Sequence, residues 1–229
     1  MKLHKFILSF VISDGWVEIM DEEVVDQIRK VLKLKVGEQV LLCDGQGNEV
    51  VGEITEIVHK VIKLKVLKVQ KNENEAGWRV VLYCAILKRE NFELVVQKAT
   101  EIGVAEIVPV VTRRTVKLDI KQERLQKIIK EAAEQSGRGV VPILREPIIF
   151  QEAIKNANGA NILFDSSGSI QASNSKLLTS IAIWIGPEGG FDEAEITAAK
   201  NAGFEIASLG KLTLRAETAA IVASYLVTK

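Results

Sequence analysis

The chain has 229 residues, with 30 Lys and Arg balancing 30 Asp and Glu, and 47% of its residues are hydrophobic. This mixture excludes a disordered chain and suits one large or two small globular domains. Its two cysteines, Cys43 and Cys84, are isolated and exclude a disulfide scaffold; with His4 and His59 they form no spaced ligand set, so no metal is expected.

Residues 6–12 follow Lys2 and Lys5 as a short apolar run, without the length or small-residue cleavage site of a signal peptide. No apolar run approaches the roughly 18 residues of a membrane span. A cytoplasmic protein with no membrane partner is therefore expected. A short helix is expected at about 22–32. VGEQVLLC at 36–43, the turn cluster Asp44-Gly45-Gln46-Gly47-Asn48, VVGEITEIV at 50–58 and VIKLKVLKV at 61–69 are turn-punctuated, β-branched runs. They predict a small barrel or sandwich over 1–70. The polar, aperiodic stretch 71–77 is the expected linker.

From Trp78 the pattern changes. VVLYCAIL at 80–87 is a continuous apolar run, as in a strand covered on both faces. Asn91 is the expected cap of a helix with Phe92, Val95, Val96, Ala99 and Ile102 on one stripe, stopped by Gly103. A strand at 106–111 precedes a second helix, which carries Leu125, Ile128, Ile129, Ala132 and Ala133 and ends at Gly137. Strands at 161–164, 181–185 and 205–209 alternate with helices starting near Gln151 and Asp192, and a final helix spans 216–227. The alternation predicts an α/β domain over 78–229 with a parallel sheet.

Zero net charge hides an asymmetry. Residues 111–145 carry nine basic side chains (Arg113, Arg114, Lys117, Lys121, Arg124, Lys127, Lys130, Arg138 and Arg145) against four acidic ones, whereas 146–229 carry six against nine. Such a stripe either meets a polyanion or is a solvated helix face.

The most specific feature is Ile185-Gly186-Pro187-Glu188-Gly189-Gly190-Phe191, between a buried strand and a helix. Ligands of open α/β sheets sit at such strand ends. A phosphate loop is excluded: there is no G-x-G-x-x-G and no Gly-Lys-Ser/Thr, Pro187 lacks an N–H, and Glu188 places a carboxylate where donors are needed. A ligand without phosphate, carrying positive charge, fits better; a plain tight turn is the alternative. Asp192 and Glu195 have the spacing of a capping pair. A second loop, LGKLTLRAETA at 209–219, also joins a strand to a helix; there Arg215 and Glu217 can bind or polarise a substrate, and Thr218 is a candidate cap. A third candidate is EAAEQSGR at 131–138, where Glu131 and Gln135 share a helix face.

GPEGGF at 186–191, LGKLTLRAETA at 209–219, EAAEQSGR at 131–138 and KRENFELVVQKATEIGVAEIVPVVTRRTV at 88–116 resemble the signatures of the RsmE family, SPOUT-superfamily methyltransferases that modify N3 of a uridine in small-subunit ribosomal RNA. VLKLKVGEQVLLCDGQGNEVVGEI at 31–54 is similar to that family's PUA-like barrel. The resemblance implies a PUA-like β-barrel followed by a trefoil-knotted, parallel-sheet SPOUT domain that binds S-adenosylmethionine and forms a homodimer through the C-terminal domain. Carried over by motif, the cofactor residues are Leu163, Ile185, Gly186, Gly190, Leu209, Gly210, Leu212 and Leu214. Leu212 stands where the family usually has arginine, and Thr213 where it has isoleucine. Candidate RNA contacts are Arg29, Lys30, Arg113, Arg114, Gln135 and Arg138. N3 of uridine must lose a proton while the uracil oxygens gain charge; Arg215 is the candidate for stabilising that charge and Glu217 for taking the proton. A SPOUT enzyme acting on another RNA such as transfer RNA, and a non-catalytic RNA-binding assembly factor, are the competing readings.

Overall fold

Alternating β-branched residues build the first sheet. In the computed structural model, which describes residues 3–75, 77–116, 119–169 and 180–229, strands β1 (His4–Ile7), β2 (Trp16–Ile19), β3 (Gln39–Cys43), β4 (Asn48–Ile57) and β5 (Ile62–Lys71) run in the order β1-β3-β4-β5-β2. The pairs are antiparallel except β1 with β3. The period-2 pattern sends Val40, Leu42, Val50, Ile54, Ile62 and Leu64 inward. Part of the 6–12 run is thus strand β1, with Phe6 in the core. Helix α1 (Glu22–Asp26) starts at Asp21, whose side chain accepts from Val24 N, and continues as a π-helical turn over Gln27–Val31, inside the expected 22–32. At the β3–β4 turn, Asp44 Oδ1 accepts from the N–H groups of Gln46 (2.7 Å) and Asn48 (3.0 Å).

This first unit comprises Met1–Glu75 together with Ala133–Val141. Polar groups fasten the returning segment. Ile7 N donates to Glu134 Oε1 at 2.7 Å. Lys5 Nζ lies 2.8 Å from the buried Glu49, which also accepts from Gln70 and Asn72. Burial pushes the Glu49 carboxyl up, but these three donors outweigh it and hold it below its ordinary range.

The second unit comprises Ala76–Ala132 and Pro142–Lys229. Its sheet is wholly parallel: β6 (Arg79–Ala85), β7 (Glu106–Val111), β8 (Ile143–Leu144), β10 (Ala160–Ser169), β11 (Ser180–Ile185) and β12 (Glu205–Ala207) lie in the order β12-β10-β11-β6-β7-β8, and β9 (Ile148–Ile149) pairs with β7. Its helices are α2 (Arg89–Ile102), α4 (Phe150–Asn156), α5 (Glu193–Asn201) and α6 (Ala216–Thr228); α3 (Gln122–Ser136) begins in this unit and its last turn belongs to the first. Ala182 and Trp184 face a core shared with Phe150, Phe191 and Ala199. Trp184 stacks on Tyr83 at 3.9 Å, and its indole N–H donates to Asn161 Oδ1 at 3.0 Å. Helix α6 packs on α2, β6 and β11.

Two expected caps are corrected. Helix α2 begins at Arg89 with Lys88 at its N-cap, so Asn91 lies inside the first turn. Arg215, not Thr218, is the N-cap of α6, and its side chain makes no capping bond. Gly103 does end α2, with φ +110°. The expected trefoil knot concerns the path of the whole chain, which includes 170–179, outside the described residues. Among the described residues, no helix is long and apolar enough to cross a membrane.

Candidate active site

Two loops, beyond the C-terminal ends of β11 and β12, converge on the C-terminal half of β10, at the edge where parallel sheets bind ligands. They enclose a cleft of about 400 Å³, lined among others by Phe164, Gly186, Glu188, Gly190, Leu209 and Leu214, within the size range of small-molecule sites. Residues 187–190 form a turn closed by Gly190 N donating to Pro187 O at 2.8 Å. Gly190 has φ +70°, a left-handed conformation that glycine adopts freely. Gly168 is required for another reason: a Cβ there would stand 2.4 Å from the Ala207 carbonyl carbon.

The donor set of this cleft does not suit phosphate. Pro187 has no N–H to offer, and Asp165 and Glu188 contribute two carboxylates against Lys211. Glu188 Oε1 accepts from Lys88 N at 3.3 Å, and Asp165 Oδ1 accepts from the N–H (2.8 Å) and hydroxyl (2.7 Å) of Ser167. Apolar walls with carboxylates at the rim fit an amphipathic ligand bearing a cationic centre, as a sulfonium nucleoside does.

Of the expected cofactor residues, Ile185, Gly186, Gly190, Leu209, Gly210, Leu212 and Leu214 all line the cleft. Leu163 does not. Strand alternation turns it into the core beside Trp184, and its neighbours Phe164 and Asp165 line the cleft. Ser166, Gly168 and Ser208 also contribute without any motif to reveal them. Leu212 is 83% exposed. Arg215 is exposed between the lining residues Leu214 and Ala216. Glu217 is buried, with Oε2 lacking a hydrogen-bond partner among the described residues, and is not a lining residue.

The basic segment is largely committed to internal partners. Arg113 Nη1 donates to Asp192 Oδ1 at 3.1 Å, and Arg114 Nη1 donates to Gly189 O at 2.8 Å. Arg124 pairs with Glu93, and Arg145 with Glu106. Arg138, expected to meet RNA, is 4% exposed and paired with Glu75, so its charge is spent inside the first unit. Lys117 lies outside the described residues. Of the remaining expected RNA contacts, Lys30 is exposed and pairs with Asp26, Arg29 donates to His59 O, and Gln135 is exposed.

Comparison with known proteins agrees with this geometry. The family model described as an RNA methyltransferase domain matches residues 73–228, and an RNA methyltransferase PUA domain matches 28–73. The chain is 34% identical over 225 residues to ribosomal RNA small subunit methyltransferase E of Rickettsia conorii, covering 95% of this chain and 91% of that protein. It is 30% identical over 218 residues to its namesake in Bacillus subtilis, covering 88% and 85%. The structure of ribosomal RNA small subunit methyltransferase E from Neisseria gonorrhoeae bound to S-adenosyl methionine superposes with a TM-score of 0.91 at 28% identity, covering 98% of this chain and 96% of that one. A PUA domain followed by a parallel-sheet domain of this kind defines an RNA methyltransferase. The chain belongs to the ribosomal RNA small subunit methyltransferase E (RsmE) family.

Proposed function

We propose that this protein transfers a methyl group from S-adenosylmethionine to N3 of a uridine in small-subunit ribosomal RNA. The observation that carries the reading is the cleft between β10 and the loops after β11 and β12, glycine-lined, without phosphate-loop donors and with carboxylates among its lining residues, in a chain similar throughout to enzymes named for that substrate. When bound, the cofactor supplies an electrophilic methyl group. Gly186, Gly190, Leu209, Gly210 and Leu214 would hold it, with Leu212 at the exposed edge. Arg215, exposed at the start of α6 between the lining residues Leu214 and Ala216, is the proposed group that stabilises charge on the uracil oxygens as N3 loses its proton. Glu217, two residues further on and with Oε2 unpartnered among the described residues, is the proposed proton acceptor. Most of the acceleration would come from aligning the base with the methyl donor. Lys30, Arg29 and Gln135 are the proposed RNA contacts. The base must be unstacked, which favours an accessible single-stranded or junction site in the small subunit or an assembly intermediate.

A homodimer through the C-terminal domain is part of this reading, supported by Tyr225 and Leu226, which stay 51% and 57% exposed on α6. Two buried free cysteines suit a reducing, cytoplasmic setting. The test is to incubate the protein and labelled S-adenosylmethionine with unmethylated small subunits, with transfer RNA as the comparison, and map the product. Label at N3 of one small-subunit uridine is expected. Label in transfer RNA alone would replace the substrate, and RNA binding without any transfer would favour an assembly factor.

A further inference from the structure

Residues 112–115 follow β7 and form a self-braced turn: Thr112 N donates to Thr115 Oγ1 at 2.9 Å, and Thr115 N donates to Thr112 O at 3.1 Å. From that turn, three hydrogen-bonded contacts reach the 186–192 loop, besides an ion pair of Arg114 Nη2 with Asp192 Oδ2 at 3.8 Å. Arg114 Nη1 takes the Gly189 carbonyl, and Arg113 Nη1 takes Asp192 Oδ1. The third runs through Glu195, which is 2% exposed although it is a carboxylate. Its Oε1 accepts from Arg113 N and its Oε2 from Asp192 N, both at 2.9 Å. One buried carboxylate therefore pins the loop after β7 to the end of the loop after β11. The Arg114 side chain also lies against Gly189, where an added Cβ would meet its Cδ at 3.5 Å.

We propose that Arg113, Arg114 and Glu195 are positioning residues that hold the 186–191 loop in its cofactor-receiving shape, and that the two arginines serve the cofactor cleft, not RNA. The inference rests on the function proposed above. A loop that must present Gly186 and Gly190 to a ligand gains affinity when its shape is fixed beforehand. Gly189 and Asp192 bracket the lining residue Gly190, so the arginines fix both ends of the short stretch at the cleft. Glu195 holds the same stretch through the backbone, at the Asp192 N–H.

The test uses the full-length protein and the variants Arg114→Ala, Arg114→Lys and Glu195→Gln, with S-adenosylmethionine and small-subunit RNA as probes. Calorimetry should show cofactor Kd raised at least about fivefold in Arg114→Ala, the loss of one charge-assisted hydrogen bond, and largely restored in Arg114→Lys, which keeps a donor. KM for the cofactor should rise with kcat little changed. Hydrogen exchange at the Gly190 and Asp192 amides should quicken in Arg114→Ala and Glu195→Gln, and RNA affinity and its salt slope should stay within twofold of wild type. If Glu195→Gln unfolds, the two Arg114 variants carry the test, because Arg114 is exposed on the surface. Unchanged cofactor affinity in Arg114→Ala, or weakened RNA binding with a flatter salt slope and normal cofactor binding, overturns the proposal. A wild-type protein that binds no cofactor at all would instead remove the function on which it stands.

Discussion

The Arg138 guanidinium donates to Glu75 Oε2 at 2.8 Å, and the other oxygen of that carboxylate accepts from the N–H groups of Gly139 and Val140, both at 3.0 Å. Burial raises the Glu75 carboxyl, but Arg138 and the two amides outweigh it and keep it ionised below the ordinary range. Removing the carboxylate leaves a buried cation and two unmatched donors. Glu75→Ala should therefore lower unfolding free energy by about 3 kcal/mol. Urea titration checks this, and a loss under about 1 kcal/mol would contradict it.

Gly190→Val imposes a branched side chain on a left-handed backbone with open space around it. The cost is conformational, roughly 1–2 kcal/mol, and it falls on the cleft wall. Cofactor affinity should drop at least about tenfold while the circular dichroism spectrum holds. Calorimetry showing wild-type affinity would remove Gly190 from the site.

Glu93 gives a pH signature. The Arg124 guanidinium first, and Arg89 after it, hold its carboxyl down to about 2 from an ordinary 4.5. Because the folded value is the lower one, the stabilisation is fully present above about pH 4.5 and disappears as pH falls toward 2. Thermal midpoints recorded from pH 6 to 2.5 should fall less steeply in Arg124→Ala than in wild type. Parallel curves would show that the pair is not felt.

For catalysis, Arg215→Ala should reduce kcat by about 100-fold or more with cofactor Kd unchanged, as expected when a group acts on charge that develops only in the transition state. Glu217→Gln tests the proton acceptor: it should lower kcat by about 100-fold with cofactor Kd unchanged. A kcat near wild type would return Glu217 to a packing role.

Association is checked by light scattering. The chain mass of 25.2 kDa predicts a particle near 50 kDa, and Leu226→Glu should shift it toward the single-chain value, with loss of methyl transfer. Ala223 is unsuited to this test because it is fully buried within the single chain. A monomer with full activity would end the dimer reading.

Much of the second unit was legible because a parallel sheet demands continuous apolar runs and its helices carry strong stops. The 106–111 strand, Gly103, Gly137 and the Asp192–Glu195 capping box all followed from local pattern. The cleft loops were legible as motifs. Charge was not. Counting 111–145 as a basic stripe took no account of acids elsewhere in the sequence, and Glu75, Glu93, Glu106 and Asp192 are the residues that take up Arg138, Arg124, Arg145 and Arg113. Strands β1 and β8 pair with partners far along the chain, so no local turn signal announced them. Leu163 and Phe164 differ only by the alternation of one strand, which a motif match cannot resolve.

The return of residues 133–141 to the first unit bears on how the chain is made. Synthesis is vectorial, and the barrel strands leave the ribosome well before the segment that supplies Glu134, Arg138 and the amides of Gly139 and Val140. At roughly 5–20 residues per second, Glu75 waits several seconds as a nascent carboxylate for these partners. During that interval its charge is better left hydrated than buried. The barrel can therefore reach its final polar packing only after much of the methyltransferase domain has been translated.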